Sequence, residues 1–340
     1  MNSKLKNTEI KNILIGKYNI IPTNITAINR GTADIFKIET KNKKYILKQF
    51  IEGRELNLIE KEINLIRYLK EKNIKVPIYI KTKDEKFHIK YNNRIIIVQE
   101  YIEGYTIKDN GADYTRTIEC AKILGKLTQA MKGYKELTEE GIMEKSFSKD
   151  SLEKGIIKMK NFQNDIKSDN KYREIFYKDM EYKIKIANKL LETFDFNVIS
   201  KITVYNTHGD YSMQQLIFND NNETTIIDFE RAKKMPIIWE IMRSYTYIDK
   251  EAEDGFLNLD TLVEYFKEFS KYIKLNKYDL KYAPHVYLIQ LSTSIFGYKE
   301  YNEDYKKESL LNFGFFRTNV CKYLYNNLDE ISDKLIQEVI

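Results

Sequence analysis

The stretch Val204-Tyr205-Asn206-Thr207-His208-Gly209-Asp210-Tyr211-Ser212-Met213-Gln214-Gln215-Leu216-Ile217-Phe218, followed by Thr225-Ile226-Ile227-Asp228-Phe229-Glu230, decides how the chain is read. A strand delivers Asp210 into a loop, and five residues on the amide of Gln215 begins a second strand. Asn219-Asp220-Asn221-Asn222 turns the chain back, because Asn and Asp hydrogen-bond their own backbone and tolerate left-handed conformations. The returning strand, Thr224 to Ile227, ends at Asp228. Hairpin pairing is therefore expected to gather Asp210, Gln215 and Asp228 at one end of a small sheet. A carboxylate that orients an attacking hydroxyl, with two oxygen donors for a hard cation, is what phosphoryl transfer from a nucleotide requires.

The arrangement resembles the aminoglycoside phosphotransferase and choline kinase-like family of the protein-kinase-like fold. That family's signature is His-Gly-Asp, then Asn five residues later, then Ile-Asp-Phe or Ile-Asp-Trp. His208-Gly209-Asp210 and Ile227-Asp228-Phe229 match it, while Gln215 replaces the usual Asn and Ser212 stands where a second His is common. Gln keeps the amide oxygen but moves it one methylene outward, and maltokinase-like members of the superfamily carry Gln there. His-Gly-Asp alone is a short motif that arises by chance. The 18 residues separating Asp210 from Asp228 fit strand, turn and strand, and that pairing gives the signal its weight. The resemblance implies that Asp210 deprotonates the acceptor, that Gln215 and Asp228 hold Mg²⁺, and that ATP or GTP is the phosphoryl donor. The family also holds non-catalytic members such as spore-coat-associated proteins. A catalytically weak or inactive scaffold is the alternative reading, favoured by Gln215 and Ser212 and opposed by the intact Lys48, Asp210 and Asp228.

An amino-terminal lobe should precede this motif. Ile28-Asn29-Arg30-Gly31-Thr32-Ala33-Asp34-Ile35-Phe36-Lys37-Ile38 gives a one-glycine turn followed by alternating apolar residues, the expected first hairpin, with Gly31 covering the phosphates. In Tyr45-Ile46-Leu47-Lys48-Gln49-Phe50, alternation places Lys48 on a face with Ile46 and Phe50. The resemblance makes Lys48 the phosphate ligand. Leu56, Ile59, Ile63, Ile66 and Leu69 recur at helical spacing, and Glu62 on that helix is the expected partner of Lys48, with Glu55 and Glu60 as competitors. Strands are expected at Ile78 to Thr82 and Phe87 to Tyr91. Arg94 to Gly104 then reads as a central strand running into a glycine, and the family's nucleotide-base contacts would fall on Gln99, Glu100, Tyr101 and Ile102.

The chain has 340 residues, 42% of them apolar, enough for two lobes with ample cores. Cys120 and Cys321 lie far apart without metal-ligand spacing, and three histidines suggest neither zinc nor, with two cysteines, a disulfide framework. The polar start, Met1 to Asn7, lacks an apolar segment behind it and no run approaches membrane-span length, so a cytoplasmic protein without membrane contact is expected. Residues 1–104 carry 21 basic and 12 acidic side chains against 35 and 38 beyond, so the first lobe is about +9 and the second about −3. No basic, aromatic-interleaved stripe or nucleic-acid module accompanies it, and nucleic acid is not an expected partner.

Ile118, Ala121, Leu124, Leu127 and Met131 mark the first large helix of the second lobe, and the charged stretch from Glu136 to Ser200 reads as largely helical. Beyond Asp228, Pro236 starts a helix on which Trp239 is expected in the core and Glu240 and Arg243 brace the catalytic loop. Glu251, Glu253 and Asp254 lie where some family members bind cationic acceptors, and also suit an exposed helix start; His285, Tyr287, Gln290 and Tyr298 are further pocket candidates. The expectation is an α+β, bilobal protein-kinase-like fold. Its nucleotide-binding lobe is residues 1–104, a small mainly antiparallel sheet plus helix; residues 105–340 form a larger helical lobe with the catalytic and metal-binding loops and the acceptor pocket. The partners implied are a nucleoside triphosphate and a small hydroxyl acceptor, an aminoglycoside, amino alcohol or sugar. Oligomeric state is left open.

Overall fold

A computed structural model describes residues 5–28, 33–137, 146–221 and 223–339. Two compact units emerge: residues up to Thr106 together with Gln215–Glu230, and Ile107–Gln214 together with Arg231 onward. The sequence boundary at 104 lies two residues from the first crossing, but the hairpin at 215–230 belongs with the first unit rather than the second.

In the first unit five strands, β1 (Asn24–Ile28), β2 (Asp34–Glu39), β3 (Lys44–Gln49), β4 (His88–Tyr91) and β5 (Arg94–Glu100), form an antiparallel sheet in the order β1-β2-β3-β5-β4. Phe36, Ile38, Leu47, Ile96 and Val98 share one buried face with Ile10, Ile13, Leu14, Tyr18 and Ile20. Those last residues come from α1 (Asn7–Ile13), the π-helical turn Leu14–Tyr18 and the loop after it, an apolar element the polar first residues concealed. Helix α2 (Leu56–Glu71) buries Ile59, Glu62, Ile63, Leu65, Ile66 and Leu69, close to the apolar stripe read from the sequence. Residues 78–82 make only an isolated bridge, Tyr79 with Gln99, and two backbone bonds to β5, so the strand expected there is not formed.

The second unit contains α3 (Tyr114–Met131), α4 (Lys149–Asp165), α5 (Arg173–Thr193), the strand β6 (Val204–Thr207) and its partner at Lys233–Pro236, and then α6 (Ile237–Ile248), α7 (Leu259–Ser270), α8 (Lys277–Ser292), α9 (Tyr298–Glu303), α10 (Glu308–Asn326) and α11 (Leu328–Val339). Side chains cap the starts: Asp113 accepts from Arg116 N, Ser148 from Ser151 N, Asn258 from Thr261 N and Asn276 from Asp279 N. Helix α6 is buried on all sides except at Arg243, as its nearly continuous apolar sequence requires. It packs on α8, which is also covered by α10 and α11. Cys120 and Cys321 are both free and buried. No helix among the described residues is long and apolar enough to cross a membrane.

Candidate active site

The catalytic-loop sequence is held by α6. Gly209 sits at φ +80°, and a Cβ there would meet the Arg231 carbonyl oxygen at 2.0 Å, so only glycine lets the two segments approach. The backbone N–H groups of His208 and Gly209 donate to the two carboxylate oxygens of Glu240, at 3.0 and 2.6 Å. Glu240 is fully buried; burial drives its pKa up to about 7, against the lowering effects of those two N–H groups and of Arg243. One helical turn on, Arg243 donates to the Asp210 carboxylate through Nη2 and to the Tyr211 carbonyl through Nη1. Its guanidinium lies 4.5 Å from the Tyr247 ring centroid. The buried His208 ring accepts from Asp210 N at Nδ1, 3.3 Å, and Tyr211 donates to the Cys120 carbonyl at 2.9 Å. Asp210 keeps 31% of its side chain exposed, so a reacting group can reach it. The bracing expected of Glu240 and Arg243 is present, and Trp239 is buried with Nε1 donating to Gln290 Oε1 at 2.8 Å.

Lys233 lies 5.7 Å from the Trp239 ring; burial, then Arg231 and Arg243, holds its pKa down, while Asp210 opposes the shift. Asp109 escaped the sequence reading. It accepts from Gln214 Nε2 at 2.8 Å and from the Ser212 side chain, one of its carboxylate oxygens is buried without a partner, and burial raises its pKa. No motif surrounds it: Lys108-Asp109-Asn110 reads as an ordinary polar loop.

The strand pairing differs from the expectation. β6, which leads to Asp210, pairs with β9 (Lys233–Pro236), while β7 (Leu216–Phe218) pairs with β8 (Thr224–Ile226). Asp210 and the other two residues therefore do not share one sheet end. Gln215 closes a 3₁₀ turn just ahead of β7, and Asp228 follows β8, so these two flank the open end of the hairpin, where Ile227 N donates to Gln215 O at 2.9 Å. Asp228 is a non-glycine residue at φ 66°, strain that a packed site tolerates when the side chain must point one way. Gly104, at φ +148°, lets the hairpin close in: a Cβ would lie 2.3 Å from Phe218 O, and Tyr105 and Phe218 exchange both backbone bonds at 2.9 Å.

Lys48 is half-buried on β3, opposite Ile35 and Ile97; the better-buried face of that strand carries Leu47 and Gln49 instead. Of the three acids weighed on α2, Glu62 alone is buried. Burial raises its pKa, the nearby Lys48 charge lowers it, and Asp228 and Glu230 raise it again, so all four charges feel one another. Among the described residues no direct contact joins Lys48 to Glu62, whose partner is the Tyr79 hydroxyl at 3.2 Å. Glu230 pairs with Arg54 at 2.8 Å. At the end of β5, Gln99 is buried in the sheet, and the N–H groups of Glu100 and Tyr101 are spent on the carbonyls of Ile78 and Lys44. Among the described residues the Ile102 N–H has no acceptor. Gly31 lies outside the described residues.

The remaining pocket candidates are otherwise engaged. Glu253 pairs with Lys108 at 2.7 Å and Glu251 accepts from Asn258 at 2.6 Å. Tyr287 and Tyr298 are buried, the latter donating to Asp179, and His285 packs beside Phe194, where burial holds its pKa down at about 4. Among the described residues no cluster of three His, Cys, Asp or Glu side chains is arranged to hold a metal ion.

The sequence pattern of the phosphotransferase enzyme family matches residues 24–266. The chain belongs to that family. No curated protein sequence matches it significantly. Among solved structures, a spectinomycin phosphotransferase in complex with ADP and spectinomycin superposes with a TM-score of 0.69, at 14% identity over 98% of this chain and 100% of that one. An aminoglycoside phosphotransferase from Alicyclobacillus acidocaldarius follows at 0.68 and 12%, over 98% of each chain. An ethanolamine kinase from Plasmodium vivax superposes at 0.63 and 16%, over 96% of this chain and 92% of that one. These likenesses establish the α+β, kinase-like fold.

Proposed function

We propose that this phosphotransferase moves the γ-phosphoryl group of ATP or GTP onto a hydroxyl of a small molecule, with Asp210 as the base. The observation that carries the reading is the Asp210 carboxylate, partly exposed and held by Arg243, at the end of a loop whose backbone is tied down by Glu240. In the reaction the acceptor oxygen bonds to the γ-phosphorus, the bond to the β–γ bridging oxygen breaks, and the acceptor's proton passes to Asp210. Arg243 fixes the direction in which that carboxylate points, which is the larger part of what a positioned base contributes.

Lys48, kept in a field of acidic charge by Glu62 and Asp228, would hold the nucleotide's phosphates, and the unspent N–H of Ile102 would meet the base edge. Gln215 and Asp228, whose backbones flank the open end of the hairpin, would offer an amide oxygen and a carboxylate oxygen, a hard-donor pair that suits Mg²⁺, which takes few protein ligands and completes its shell with water and phosphate oxygens. Bound there, Mg²⁺ would neutralise charge on the phosphates. Relatives that act on or bind spectinomycin, amicoumacin and ethanolamine make an amino-alcohol or sugar hydroxyl the acceptor class to test first. No feature of the geometry favours the non-catalytic alternative: Ser212, one of its two supports, is buried and bonded to Asp109.

The test is phosphate transfer from labelled nucleotide to a panel of amino alcohols, aminoglycosides and sugars. Asp210→Asn should bind nucleotide as wild type does and lose transfer by about 10²-fold or more. Transfer at the wild-type rate by that variant removes Asp210 from the mechanism.

A further inference from the structure

Away from Asp210, α4, the segment after it and α9 enclose a cleft of about 510 Å³, within the range of ligand pockets. Lys154, Lys158, Lys167 and Lys299 line it against two acids, Asp165 and Glu303. Lys154 and Lys299 have carboxylates within reach, Asp150 at 2.7 Å and Glu303 at 3.8 Å, and Lys167 donates to the Glu303 carbonyl at 3.3 Å. Lys158 has no anionic partner among the described residues. Its ammonium is desolvated and faces Arg317 and Lys299, and these three influences press its pKa down. Arg317, on α10, adds a buried Nε with no acceptor.

Asp179, the acid whose charge reaches Lys183, is already used. Asp179 accepts from Lys322 at 2.7 Å and from Tyr298 at 2.7 Å. Fully buried Lys183 donates to the carbonyl of Ser294, the residue before Ile295 of the lining. Four lysines against two acids leave the lining net positive, and like charges so gathered cost free energy that a bound anion recovers. Ile157, Phe162 and Ile295 supply apolar wall, and the volume exceeds what a bare ion fills.

We propose that this cleft binds a small phosphorylated organic molecule, its phosphoryl group against the lining lysines Lys158 and Lys299 and its carbon skeleton against Ile157, Phe162 and Ile295. The site is independent of the phosphotransfer reading, and its readout is melting temperature rather than turnover.

The experiment titrates the protein with glycerol 3-phosphate and with inorganic phosphate against chloride at matched ionic strength. The phosphomonoester should raise Tm by about 2 °C as its site fills, and at lower concentration than inorganic phosphate does. Lys158→Glu, a charge reversal in the lining, should melt higher than wild type without ligand and should not respond to either probe. Lys48→Ala, which removes the proposed nucleotide-phosphate contact, should respond as wild type does. A wild type indifferent to both anions, a Lys158→Glu response equal to wild type, equal potency of the two probes, or loss of the response in Lys48→Ala each overturns the proposal.

Discussion

Gly209 and Glu240 carry the catalytic loop at the scale of single residues. Gly209→Ala places a methyl group 2.0 Å from the Arg231 carbonyl at a φ that L-residues avoid, so it should cost about 3 kcal/mol or more and lower Tm together with activity. Calorimetric melting checks it. Glu240 answers to pH. Its folded pKa of about 7 lies above the 4.5 of a free glutamate, so the stability linked to it is complete below pH 4.5 and is lost as pH rises through 7, on the order of 3 kcal/mol. Glu240→Gln should flatten the fall in Tm between about pH 5 and pH 8. A wild-type Tm that rises across that window contradicts the assignment. Asp210, Gln215 and Asp228 could be named from the sequence because their residue types follow from chemistry. Asp109 could not: a carboxylate recruited by tertiary approach to Ser212 and Gln214 leaves no local pattern.

Pairing partners were harder to read than elements. β6, β7 and β8 sit close to where alternation and the Asn-rich turn place them, yet β6 pairs with Lys233–Pro236, for which the sequence analysis names no strand. A run as polar as Arg231-Ala232-Lys233-Lys234 carries no strand period, so only its backbone partner makes it one. Helix α5 offers a test at this scale. Lys183 on it has a folded pKa of about 8, below the 10.5 of a free lysine, with burial the first cause. The charged form is thus penalised in the fold at neutral pH, and stability should rise, by on the order of 3 kcal/mol, as pH climbs from 8 through 10.5. Lys183→Met should abolish that rise, measured as denaturant midpoint against pH. A midpoint that falls identically in both proteins over that range removes Lys183 as its source.

Across the whole molecule, the α+β kinase-like architecture was legible because two short motifs at fixed spacing, a lysine strand and a glutamate helix occur in one order. What escaped was the chain's double crossing between units, at 214/215 and 230/231, which places Asp210 in one unit and Gln215 and Asp228 in the other. Contiguous sequence invites a contiguous domain, and the bonds that claim the hairpin for the first unit, Tyr105 with Phe218 and Lys75 with Ile226, span more than a hundred residues. The proposed roles, Asp210 as base and Lys48, Gln215 and Asp228 as phosphate and metal ligands, are most directly tested by calorimetric titration with ATP and with GTP, with and without Mg²⁺. The account predicts nucleotide binding that Mg²⁺ tightens in the wild type and in Asp210→Asn but not in Asp228→Asn. Absence of nucleotide binding, or binding indifferent to Mg²⁺ in the wild type, contradicts it.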